Sequence, residues 1–137
     1  MSSASLRVAA ILLIAVPTVE FGGWSLLRMI GARDPGYLDN PIRRYLFRAG
    51  HAHAGVWILF ALVGLLYVDA ADLSGGLKQL VRLSFAAAPI LMPLGFFLSI
   101  VSPRAERPNK MIALVYLGGL ALAVATVTLG IGILKAL

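Results

Sequence analysis

Both histidines of the 137-residue chain fall within Gly50-His51-Ala52-His53-Ala54-Gly55, directly ahead of an apolar run from Val56 to Val68. Imidazole ligates metals and haem iron, and it takes up or releases protons near neutral pH. A His-x-His pair first suggests a metal chelate. On an α-helix, however, residues two apart point about 200° away from one another. His51 and His53 therefore share a metal ion only if the helix is unwound at that point; in a regular helix each serves its own half-site. Arg44, Arg48, His51, Gly55 and Leu62 share one face, and His53, Trp57, Phe60 and Gly64 the opposite one. The first face is a basic stripe climbing to a histidine, which suits an anion, a carboxylate or a haem propionate. The second is an aromatic-lined histidine, which suits a flat apolar cofactor. His51 and His53 are the candidate cofactor or metal ligands, and Arg44 and Arg48 the candidate partners for a ligand's acidic groups.

Glu20 is the other residue whose placement demands a reason. It interrupts an apolar stretch from Val8 to Ile30, and an acid at the centre of a membrane helix costs roughly 2.5–3.5 kcal/mol on insertion scales. Counting back from Arg28 puts Glu20 about 12 Å below the basic end of its helix. The histidines lie at a similar depth along theirs. Glu20 is therefore expected to orient a histidine or to accept its proton.

The elements that must hold these residues follow from composition. The chain is 60% hydrophobic and only 13% charged, with a mean hydropathy of +0.91, whereas soluble domains average roughly 45–50% and about 25%. An all-α integral membrane four-helix bundle is expected, with residues 1–137 as a single membrane domain. Four segments have the length a bilayer requires, about 20 residues: residues 8–30, 50–68, 81–101 and 111–134. Asp39-Asn40-Pro41 reads as a helix cap followed by proline in the first turn, so the second helix is predicted to start near Pro41. Arg7 ahead of Val8–Val16 resembles a signal peptide, but no small-residue cleavage site follows and the apolar run resumes after Glu20, which favours a retained helix. The absence of cysteine excludes disulfides, thiolate metal sites, iron–sulfur clusters and cysteine nucleophiles.

The net charge of +6 is explained by membrane topology and anionic lipid rather than by nucleic acid. Arg7, Lys78, Arg82 and Lys135 mark the end of the bundle that carries both termini. Arg28, Arg33, Arg43, Arg44, Arg48, Arg104, Arg107 and Lys110 mark the other. By the positive-inside rule the second group is cytoplasmic, so both termini are expected on the outer side of a plasma (inner) membrane. Pro17, Gly23 and Trp24 recur as Pro89, Gly95 and Phe96 at a constant offset, which suggests two related helix pairs. Pro89 and Pro93 are expected to kink the third span and free carbonyls that can line a cavity.

The stretch Gly50–Val56 resembles the His-x-His helix in the catalytic subunit of the haem–copper oxidase and nitric oxide reductase superfamily. There the two histidines point to opposite sides and each ligates a different haem. The resemblance implies haem b as a cofactor and His51 and His53 as its ligands. It covers about ten residues, and the chain has no third or fourth histidine, so neither a three-histidine copper site nor a bis-histidine haem can be built from one copy. A second axial ligand would have to be Met92, Tyr116, water or a histidine of another subunit, and Tyr116 is also placed to assist proton transfer.

The expected function is haem or metal binding through intramembrane histidines, for electron transfer or sensing. The chain would act as a homo-oligomer or as a subunit of a membrane complex rather than as an enzyme in its own right. A rival reading is a small proton-coupled transporter or channel using Glu20 with His51 or His53. A third is an accessory subunit without a site of its own. No Walker motif, catalytic triad order or paired catalytic carboxylates occur.

Overall fold

Helix starts in this chain are set by side chains that accept from otherwise orphaned backbone N–H groups. The computed structural model, which covers Met1–Leu137, places α1 at Ser3–Gly31, α2 at Pro35–Leu38, α3 at Pro41–Val68, α4 at Gly75–Ser99 and α5 at Ala113–Lys135, the last entered through a 3-10 turn at Lys110–Ile112. Ser2 accepts from the Ser5 N–H, Asp34 from Gly36, Asn40 from Arg43, Ser74 from Leu77 and Asn109 from Met111. Pro35 and Pro41 occupy first-turn positions, where the missing N–H costs nothing.

There is no strand, and four helices are long and apolar enough to cross a membrane. The second span begins at Pro41, as its cap predicts. The first begins at Ser3 rather than Val8, and the third at Gly75 rather than Val81. Lys78 thus belongs to a helix and not to the turn before it.

α3 and α4 form the central pair. α1 packs along α3 and touches α4 more sparingly, α5 packs along α4, and α1 and α5 do not meet. Leu12, Ile58, Leu65, Val81, Phe85 and Leu129 form the buried core, in the half of the bundle nearer the termini. The α4–α5 contact is close because glycine replaces a side chain on both sides. A Cβ at Gly95 would lie 2.6 Å from the Val115 backbone nitrogen, and one at Gly118 would lie 2.8 Å from that of Met92. Were the two helix pairs repeats in register, Gly95 would face position 123, as Gly23 faces His51; it faces Val115 instead, two turns away.

Each end of the bundle is tied by polar groups. At the terminal end the Arg82 guanidinium donates to Asp69 Oδ1 at 2.6 Å and to Ser5 Oγ at 2.9 Å, while the Ser2 N–H donates to Asp69 Oδ2 at 2.6 Å. At the loop end Asn40 donates to the carbonyls of Pro103 and Ala105, and Arg43 donates to Gly36 O and Val101 O. Tyr37, Phe47 and Phe97 form an aromatic stack beneath, with ring centroids 6.3 and 5.2 Å apart.

Candidate functional site

The geometry of α3 separates the two histidines completely. The helix is regular from Pro41 to Val68, so nothing unwinds to bring the imidazoles together. His51 faces α1 and His53 faces α4. No cluster of three or more His, Cys, Asp or Glu side chains capable of holding a metal ion exists in the fold.

His51 lies on Gly22-Gly23 of α1. A Cβ at Gly23 would come within 3.0 Å of His51 Cε1 and 3.1 Å of Nε2, so a side chain there would push the ring a few tenths of an ångström away from α1. Beside that contact α1 and α4 diverge, and a cleft of about 340 Å³ opens between α1, α3 and α4. His51 and Phe97 stand at its loop end, with Gly22. Ile11, Leu12, Ile58 and Pro89 stand at the other. From Ile11 to Gly22 the cleft runs about 16 Å along α1. Its rim carries Ile11, Ile90 and Leu94, all exposed on the outer surface of the bundle.

Only two polar side chains line this space. Thr18 donates its hydroxyl to Ala15 O at 2.7 Å and is thereby committed to its own helix. His51 is not committed: its Nδ1 is buried and has no hydrogen-bond partner. Both prolines of α4 line the cleft. Proline lacks the N–H that a helix would aim at the fourth residue back, so the carbonyls of Phe85 and Pro89 lose their usual donors there.

His53 is half-buried and engaged by its neighbours. Its Nδ1 lies 2.7 Å from Ala49 O. A carbonyl can only accept, so Nδ1 carries a proton and donates it to Ala49. The rings of Phe96 and Trp57 lie 5.0 and 5.8 Å away. Trp57 donates its indole N–H to Met92 Sδ at 2.9 Å, which engages the sulfur proposed as a second axial ligand. Tyr116 is 73% exposed on the far side of α5.

Glu20 does not meet either histidine. It sits at the expected depth, within one turn of Gly23, but is exposed and makes neither hydrogen bond nor ion pair. Val19 and Gly23 point to α3; Glu20, turned about 100° from Val19, lies on the flank opposite the cleft. A proton path joining Glu20 to a histidine inside the bundle therefore has no support in this geometry. Arg44 donates to Leu38 O and stacks over Tyr45, and Arg48 is exposed without a partner. Neither lines the cleft.

The Arg82–Asp69–Ser2–Ser5 cluster was not legible as a site from sequence. Its signal is faint: an arginine two turns into a helix, with an aspartate just past the end of the preceding one. Comparison with family models, with curated proteins and with solved structures finds no match for the chain.

Proposed function

We propose that this chain is an integral membrane protein that takes a lipid-soluble molecule from the bilayer into the cleft between α1, α3 and α4 and holds it against His51. The observation that carries this reading is the His51 side chain, which lines an otherwise apolar cleft and makes no hydrogen bond, Thr18 being turned to its own helix. A ligand bearing one polar group could hydrogen-bond to this ring, a contact worth about 0.5–1.5 kcal/mol. Ligand sites share this composition: mostly apolar linings, a few placed polar groups and volumes of roughly 300–1,000 Å³. The exposed rim at Ile11, Ile90 and Leu94 gives such a molecule a route from the hydrocarbon phase. The eight basic residues at the loop end put that end in the cytoplasm and both termini outside.

Haem b is one occupant the imidazole would suit, since histidine is a common axial ligand. Within one copy it would rely on His51 alone, because Met92 is engaged by Trp57. Its propionates would find no cation on the cleft wall. A neutral ligand meets neither difficulty, and we favour one. The role is then to bind and present, or to sense, a membrane-dissolved molecule, alone or as a subunit of a larger complex.

The test is to purify the protein in mild detergent, record its visible spectrum and identify by mass spectrometry what an organic extract contains. The wild type is expected to retain a lipid-soluble molecule in near-stoichiometric amount. Ala15→Phe, which fills the cleft, and His51→Ala are expected to lose it. A Soret band that disappears in His51→Ala would assign haem. Equal contents in all three proteins would overturn the reading.

A further inference from the structure

Resting on that reading, we infer that the molecule held in the cleft is an isoprenoid quinone, with its ring at His51 and its tail running toward Ile11. Three observations on the wall specify the two ends of the occupant. The cleft is elongated, about 16 Å along α1, and its one uncommitted polar side chain stands at the loop end. An elongated slot with one polar end fits a molecule with one polar head and one hydrocarbon tail.

Phe97 shares the head end with His51, and its ring is packed from two sides. Phe47 meets it edge-on at 5.2 Å. Gly50 makes room for it from α3, where a Cβ would lie 3.1 Å from Phe97 Cε2. An aromatic ring beside an imidazole suits a flat ring carrying a carbonyl, because aromatic faces and edges pack against one another.

No cation lines the cleft. Fatty-acid and haem carboxylates would be left without a lysine or arginine, whereas a quinone and its fully reduced quinol are both uncharged. A neutral imidazole has one N–H and one bare nitrogen. It can donate to a quinone carbonyl or accept from a quinol hydroxyl, so the same residue serves both forms. His53 has no such freedom, since its Nδ1–H is committed to Ala49.

The experiment titrates the purified full chain in detergent with decylubiquinone and follows quenching of its two tryptophans, with oleate and hemin titrated in parallel. Circular dichroism checks that each variant is folded. The wild type is expected to show saturable quenching by decylubiquinone. His51→Ala should weaken binding roughly three- to tenfold, the span of one ordinary hydrogen bond. Ala15→Phe should abolish saturation, and Leu59→Ala, on an outward face of α3, should leave it unchanged. Saturation by oleate or hemin but not by decylubiquinone would overturn the quinone assignment and leave the lipid-soluble ligand standing. Unsaturable quenching by all three compounds, identical in wild type and Ala15→Phe, would remove both.

Discussion

Asp69 and Arg82 meet at 2.6 Å across the turn between α3 and α4, with the arginine 8% and the aspartate 25% exposed at the side chain. Burial pushes the Asp69 carboxyl up, but donation from the Ser2 N–H, from the Ser2 and Ser5 hydroxyls and from Arg82 outweighs it, and the group is held well below the usual carboxylate range. The cluster fastens the start of α1 to the central pair at the end where α1 would otherwise have only apolar contacts.

A carboxyl whose folded value is depressed stabilises the fold at every pH above its unfolded value, near 3.9, and loses that contribution as pH falls further. Thermal unfolding followed by circular dichroism should therefore show a flat midpoint from pH 7 to 5 and a decline below about pH 4. Asp69→Asn should lower the midpoint at pH 7 and flatten the decline. An unchanged slope in that variant would show that another carboxylate carries the acid sensitivity.

Gly95→Ala is expected to destabilise the α4–α5 contact by about 1–3 kcal/mol, the usual range for overpacking. The added methyl meets the Val115 backbone nitrogen at 2.6 Å, and backbone cannot swing aside as a side chain would. Gly130→Ala, where a methyl meets nothing within 4 Å, is the matched control and should cost nothing or add stability. Denaturant unfolding in detergent distinguishes the two.

Glu20 faces outward, so its removal should act on membrane insertion and not on the cleft. In a glycosylation-reporter assay, Glu20→Leu should make insertion of the first helix more favourable by on the order of 2–3 kcal/mol. Glu20→Gln should leave the molecule retained at His51 unchanged. Loss of that molecule in Glu20→Gln would restore the link between the acid and the histidine that the geometry separates.

His53→Ala should reverse the pattern seen for His51→Ala. Removing the ring leaves a gap between Phe96 and Trp57 and frees the Ala49 carbonyl, so unfolding should become easier by roughly 2–4 kcal/mol. The content of the cleft should stay as in the wild type. A loss of bound molecule in His53→Ala equal to that in His51→Ala would mean that the two histidines act on one site.

Depth was readable from the chain, and direction was not. The rise per residue placed Glu20 and the histidines in one layer, and Gly23 does lie against His51. Which way Glu20 points depends on which face of α1 meets α3. That face is chosen by Gly22 and Gly23, whose small size becomes informative only when an imidazole is seen resting on them. The division of His51 from His53 followed from helical geometry alone. The engagement of His53 did not, because Phe96 and Met92 are supplied by another helix. Caps written in neighbouring residues, such as Asn40 ahead of Pro41, were legible for the same reason that Asp69–Arg82 was not: one is a contact within a turn, the other a contact across the fold.

The rim of the cleft at Ile11, Ile90 and Leu94 opens on the side of the bundle rather than at either end. A guest arriving that way diffuses in two dimensions and never crosses water. Occupancy would then follow the guest's mole fraction among the surrounding lipids, not its amount per volume of solution. Diluting the membrane with more phospholipid at fixed protein and fixed guest would empty the site, and concentrating the aqueous phase would not refill it.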